Sequence, residues 1–273
     1  MLIVGTNVVA LRAQNSMRVA TAAMQQSMQR LTTGKRINSP ADDPAGFAIA
    51  VGMTSRISGM TRAMQNAQDG ISLAQTAEGA LADVTTMAQR IRELAVNATS
   101  GTYSDADRAN MNAESAQLLA QVGQVLTNSK FNGNTLFDTT AAGPGTSRPI
   151  QVGSEAGETM DLTIENIDMT WAASASMGTA SDANGMLSTM DGFLKKLSTV
   201  RADLGAKQSG LEATVNILNT GVMNMIEARS RIEDADYGAE SMALAKAQIM
   251  VQSSTAMLAQ ANQMQKAVLT LIT

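Results

Sequence analysis

Residues 3–31 read IVGTNVVALRAQNSMRVATAAMQQSMQRL, and apolar or small side chains recur along them every three or four positions: Ile3, Thr6, Ala10, Ala13, Met17, Ala20, Met24, Ser27 and Leu31. A repeat averaging about 3.5 residues keeps one stripe of a helix against a partner helix. The far end of the chain repeats the rhythm with Ala247, Met250, Ser254, Met257, Ala261, Met264, Val268 and Leu271. Flanking positions are apolar as well (Val4, Leu11, Leu244, Val251, Leu258, Ile272), so neither helix tolerates water on all sides. No acid occurs before Asp42 or after Glu240. The charges there are Arg12, Arg18, Arg30, Lys35 and Arg36 at one end, and Lys246 and Lys266 at the other. Both ends are built for burial, against each other and against further copies of the chain. An intramolecular coiled coil alone would leave their other faces unexplained. The expected assembly seam is therefore Ala10, Met17, Met24, Leu31, Met250, Met257, Met264 and Leu271.

Composition narrows the function. The 273-residue chain carries 20 basic and 24 acidic residues, net −4, with the acids confined to its interior. That balance offers no basic surface for nucleic acid, and seven scattered aromatics (four Phe, two Tyr, one Trp) give no stacking platform. Twenty methionines and many alanines must fill the interior. With no Cys and no His, disulfides, thiol nucleophiles, the usual zinc sites and the commonest general base are missing. No catalytic residue, cofactor or metal site is expected, and the chain reads as a non-enzyme. Nothing is apolar for long enough to span a membrane, so no membrane insertion is expected. The first residues lack the layout of a cleaved secretory signal, which leaves a cytoplasmic chain or one exported with its N-terminus intact.

The four prolines, Pro40, Pro44, Pro144 and Pro149, punctuate two places only. Between them a second helix is expected from about Ala45 to about Ala98, with a seam of Ala74, Ala77, Leu81, Val84, Ala88, Ile91, Ala95 and Ala98. Ser104 and Asp107 read as a capping box opening a third helix, to about Asn128. From Phe131 to about Asp168 the texture changes. Ile150 and Val152 face an alternating Met160, Leu162, Ile164 across a glycine-containing turn, the pattern of a β-hairpin or small meander. From Met186 a long seam resumes through Met190, Phe193, Leu197, Val200, Leu204, Leu211, Leu218 and Met225, interrupted at Lys207, Thr214 and Gly221. The expected fold is mainly α: an elongated helical bundle or coiled coil of paired N- and C-terminal helices with a small β-hairpin tip.

The stretch 31–50, LTTGKRINSPADDPAGFAIA, resembles the N-terminal signature of bacterial flagellin. NAQDGISLAQTAEGAL at 66–81, RIRELAV at 90–96, ARSRIEDADY at 228–237 and MLAQANQ at 257–263 resemble further flagellin signatures in the same order. The resemblance covers roughly residues 1–137 and 181–273; the middle is short beside flagellins with large outer domains. It implies a self-assembling subunit of the helical flagellar filament, exported unfolded without a cleaved signal and located outside the cell. It also implies an export chaperone, cap and hook-junction proteins as partners. The implied domains are a terminal coiled coil (1–43 and 232–273, inner tube), a helical core (44–137 and 181–231, outer tube) and a short variable hairpin tip (138–180). Gln89, Arg90, Leu94 and Glu114 match positions that some flagellins present to toll-like receptor 5, and subunit contact is the competing role.

Other readings carry less. Asp42-Asp43 and Glu233-Asp234-Ala235-Asp236 lack the spacing of a calcium loop and read as helix-terminal charges. Asn97-Ala98-Thr99 fits a glycosylation sequon without the matching secretory signal, while sugars on the Ser and Thr of 139–154 stay open. A flagellin-like surface-binding protein and a hook–filament junction protein are the alternatives. The first is disfavoured by a tip whose only large aromatic is Trp171, and the second by the motifs at 66–81 and 90–96.

Overall fold

The computed structural model describes residues 6–140, 143 and 145–270, with side chains through residue 267. Among them, α1 (Val8–Thr33), α2 (Pro44–Thr99) and α3 (Asp105–Asn128) precede two small antiparallel sheets, β1–β2 (Lys130–Phe131, Asn134–Thr135) and β3–β4 (Thr146–Gln151, Thr159–Ile164), and α4 (Ala180–Glu233) and α5 (Tyr237–Thr270) follow them. The structure is 76% helical, as the heptad patterns require. It divides into two compact units. One comprises the residues up to Ser55 and from Asn224 onward; the other is Arg56–Met223, so α2 and α4 contribute to each.

In the second unit every expected α2 seam residue from Ala74 to Ala98 is buried. They face Leu119, Val122 and Leu126 of α3 and the α4 stripe from Met186 to Leu204 in one cluster. The interruptions of the α4 pattern keep the register: Lys207 and Thr214 are half-buried between buried Leu204, Leu211 and Leu218, and Gly221 is half-buried three residues beyond Leu218. Lys207 fits because its long stem lies along the seam while its ammonium reaches the Thr163 carbonyl at 2.8 Å and Asp203 at 2.7 Å.

The expected capping box opens α3. The Ser104 hydroxyl accepts from the Asp107 N–H at 3.3 Å, and the Asp107 carboxylate accepts from the Ser104 N–H at 3.0 Å and from its hydroxyl at 2.7 Å. These Ser104 bonds, the hydroxyl first, hold the Asp107 carboxyl below its ordinary value of 3.8. A folded value below the unfolded one gives a contribution that is complete above about pH 3.8 and is lost as pH falls toward the folded value. Acidification below that point should therefore unwind the start of α3 in the native chain. Asp107→Asn should flatten that part of the circular-dichroism titration.

Arg108 closes the same turn from inside. It is 9% exposed, and its guanidinium donates to the Ala98 and Ser100 carbonyls and to Asp105, each at 3.0 Å. The Ala98 carbonyl is in the last turn of α2 and the Ser100 carbonyl just past it, where no helical N–H follows to satisfy them. Arg108→Leu should cost about 2 kcal/mol, because it strands buried acceptors; the denaturant midpoint checks this.

The β3–β4 hairpin has the expected partners, Ile150 opposite Met160, with Val152 N–H donating to the Glu158 carbonyl across the turn. It lies along α2. Gly70 leaves room for Ile150, whose Cδ1 would stand 2.3 Å from a β-carbon there, and Asn66 donates to the Gln151 carbonyl at 3.2 Å. Leu162, Ile164 and Ile167 join the helical core. Trp171 packs edge-on against Phe193 at 5.4 Å and donates its indole N–H to the Asp168 carbonyl at 2.9 Å, so packing occupies the large aromatic of this segment.

Candidate assembly interface

In the first unit, α1 and α5 run antiparallel. The Asn7 side-chain amide donates to the Ala261 carbonyl at 3.2 Å at one end of the pair, and Arg30 meets Glu240 at 3.7 Å at the other. Along α1 the buried stripe follows the sequence expectation: Ala13, Ala20 and Ser27 are fully buried, and Ala10, Met17, Met24 and Leu31 half-buried between them. The facing stripe of α5 is Leu244, Ala247, Val251, Ser254, Leu258 and Ala261. Small residues on both sides let the two backbones approach to Cα separations within 8 Å.

Of the α5 seam expected from sequence, Ala247, Ser254 and Ala261 thus lie in the helix pair, whereas Met250, Met257 and Met264 do not. They are 44%, 54% and 61% exposed, one heptad apart on another face of α5. Leu271 and Ile3 lie outside the described residues, as does the Val268 side chain. Two apolar stripes adjoin on α5, so the choice of register needed one more signal. Leu244, Val251 and Leu258 continue the 3/4 spacing back to Glu240, which meets Arg30. Large apolar residues also stay uncovered around the pair: Val8, Val9, Leu11, Val19 and Met28 on α1, and Met242 and Ile249 on α5.

The breaks α1–α2 and α4–α5 are fastened to each other. Ala235 N–H donates to the Gly34 carbonyl at 3.0 Å, and Arg36 N–H to the Glu233 carbonyl at 2.6 Å, forming a single antiparallel bridge at Lys35 and Asp234. Lys35 also meets the Glu233 carboxylate at 2.6 Å, and Arg36 donates to the Ile232 carbonyl at 2.6 Å. Gly34 ends α1 at φ +70°, a left-handed turn natural to glycine. Asp42 accepts from the Ser39 and Asn38 N–H groups, which hold its carboxyl below the ordinary range, and Asp43 accepts from Gly46 N–H as α2 begins. Both acids therefore serve the backbone of the break. Sequence reading gave no hint of this pairing; the two linkers are far apart in the chain.

In the second unit the Arg90 guanidinium donates twice to Glu114, at 3.0 and 2.9 Å, and once to Glu93 at 3.3 Å. Both acids raise its pKa, Glu114 first. Gln89 is exposed beside it, but Leu94 is 4% exposed and belongs to the core under this surface. The structure thus joins Arg90 and Glu114 and turns Leu94 inward.

The family model described as the bacterial flagellin N-terminal helical region matches residues 4–142, and that of the bacterial flagellin C-terminal helical region matches 187–272. The chain belongs to the bacterial flagellin family. A flagellin of Halalkalibacterium halodurans is 38% identical over 99% of this chain and 100% of its own length. A flagellar filament 33 kDa core protein of Treponema phagedenis is 37% identical, with the same coverage of 99% and 100%. The crystal structure of Bacillus cereus flagellin shares 28% identity and a TM-score of 0.51, over 60% of this chain and 94% of that one. The chain is accordingly a structural subunit of the flagellar filament, an extracellular polymer, and the α1–α5 pair is its candidate assembly surface.

Proposed function

We propose that the segments 1–43 and 232–273 form the inner tube of the filament, that 44–137 and 181–231 surround it, and that 138–180 faces outward. The observation that supports this reading is the α1–α5 pair, joined along small residues while Val19, Met28, Ile249 and Met257 stand more than half exposed on its other sides. A lone helix pair with such sides is poorly stable in water, and covering them with the next copy removes that penalty. Head-to-tail contacts of this kind do not close, so they propagate as a helix. In this reading Ala10, Met17, Met24 and Leu31 hold the pair together, while Met250, Met257, Met264 and Leu271 meet neighbouring subunits.

The subunit reaches the growing end unfolded, through the export apparatus and with its N-terminus retained. A cysteine-free chain cannot be trapped by disulfides on that route. An export chaperone, the cap and the hook-junction proteins are its transient partners. Arg90 and Glu114, exposed and held together, with Gln89 beside them, form the surface read by toll-like receptor 5 on free subunits; Leu94 shapes it from below. Receptor signalling lost in Arg90→Ala but retained in an exposed control such as Asp83→Ala would support that assignment, and equal signalling would remove it.

The test of the polymer reading is electron microscopy of the purified full-length chain, seeded with short filaments or driven by a precipitating salt. Helical tubes are expected. Discrete particles under every condition would overturn the reading.

A further inference from the structure

Methionine exposure among the described residues runs from buried through half-buried to open, and Met28, Met223 and Met242 are open at 51%, 63% and 71%. Met177, Met186 and Met190 are buried in the helical core at 0%, 4% and 0% exposed, whereas Met250, Met257 and Met264 stand open to solvent on one helix, seven residues apart. The sequence has no cysteine, so no thiol competes with these thioethers for an oxidant. We propose that Met250, Met257 and Met264 form a reversible oxidation site, at which hydrogen peroxide or a related two-electron oxidant renders the free subunit unable to polymerise. The inference rests on the proposed covering of this α5 face by a second copy, argued from its continuity with the α1–α5 contact and from membership in a filament-forming family.

The chemistry is self-contained. A sulfur lone pair attacks the peroxide O–O bond; an S–O bond forms, the O–O bond breaks, and the leaving hydroxide takes the remaining proton to become water. Sulfur loses two electrons and peroxide gains them. Two thiols of a methionine sulfoxide reductase system reverse the step, becoming a disulfide as the oxygen leaves as water. A sulfoxide is a strong hydrogen-bond acceptor. Water satisfies it on the free subunit, but the apolar side of a neighbouring copy would not, so burial becomes unfavourable. The core methionines are shielded, and the fold of the second unit survives the same treatment. Within the filament the three sulfurs are covered, which makes the free subunit the sensitive form.

The experiment treats free full-length chain and preformed filaments with hydrogen peroxide, maps sulfoxides by peptide mass spectrometry, and measures the critical concentration for seeded polymerisation. Expected results are oxidation of Met250, Met257 and Met264 well before Met177, Met186 and Met190, and a rise in critical concentration of about tenfold or more. Restoration by methionine sulfoxide reductase with a dithiol is also expected. Each of Met250→Leu, Met257→Leu and Met264→Leu, and the triple variant, is compared with and without peroxide. Whatever the triple variant's own critical concentration, peroxide is expected to raise it by much less than it raises that of the native chain, the remaining response coming from exposed Met28 and Met242. If the triple variant does not polymerise, the single variants serve, each showing a smaller peroxide response. Oxidised native chain that polymerises like untreated chain overturns the inference and leaves the seam reading standing. So does a triple variant as sensitive as the native chain. Filaments whose three methionines oxidise as fast as those of the free chain overturn the seam reading and the inference with it.

Discussion

Chain lacking residues 250–273 should remain a soluble monomer at every concentration at which the full chain forms filaments. The deletion removes Val251, Ser254, Leu258 and Ala261, the greater part of the α5 stripe that faces α1, together with the Asn7–Ala261 tie. What is left of α5 ends at Ile249, opposite the Arg30 end of α1, and so short a helix is marginal without packing. The first half of α1 then has no partner, and its stripe from Ala10 to Ala20 returns to water. The Arg56–Met223 unit has its own core and loses none of it, so its cooperative unfolding should persist. Sedimentation, microscopy and circular dichroism together check the outcome. Filaments from the truncated chain would show that the α1–α5 pair is dispensable and end the assembly argument.

The largest loss of folding stability expected from one substitution is at Leu81. It is fully buried in the cluster of α2, α3 and α4, as are Leu126 and Leu197. Leu81→Ala removes apolar contacts and leaves a cavity, a change that costs about 3 kcal/mol in a core that cannot close around it. For a unit of this size that is a fall of about 10 °C in melting temperature. Ile217, 71% exposed on α4, is the control: Ile217→Ala should change stability by less than about 0.5 kcal/mol. Equal effects at the two positions would mean that the described core does not carry the stability of the second unit.

The heptad positions of α1, α2 and α4 were legible because one apolar stripe stands out on each helix. The Ser104–Asp107 box was legible because capping is local chemistry, settled within four residues. The hairpin strands were legible from alternation at Ile150, Met160 and Leu162, while their register comes from the structure. On α5 the alphabet is too uniform: Ala, Ser, Met, Leu and Val occupy adjoining stripes, and hydrophobicity alone cannot rank them. What decides there is where the small residues fall, since close helix approach centres on Ala247, Ser254 and Ala261, with Leu244, Val251 and Leu258 filling between them, and leaves Met250, Met257 and Met264 on another face. Leu94 shows the converse. It sits in a motif rich in charge, yet its position one residue before the Ala95 seam turns it into the core. The Gly34–Ala235 and Arg36–Glu233 bonds join residues about two hundred positions apart, and no local pattern announces such a pairing.

The coincidence of the two helix breaks has a mechanical meaning. A continuous α-helix resists bending along its whole length, but here both rods are interrupted at one level, between Gly34 and Asp43 and between Asp234 and Asp236, and a two-bond bridge, the Lys35–Glu233 ion pair and the Arg36–Ile232 hydrogen bond span them. Flexural compliance is thereby concentrated in a few residues instead of being spread along the helices. A load borne across the two breaks would strain this joint first, and the bridge between Lys35 and Asp234 resists it.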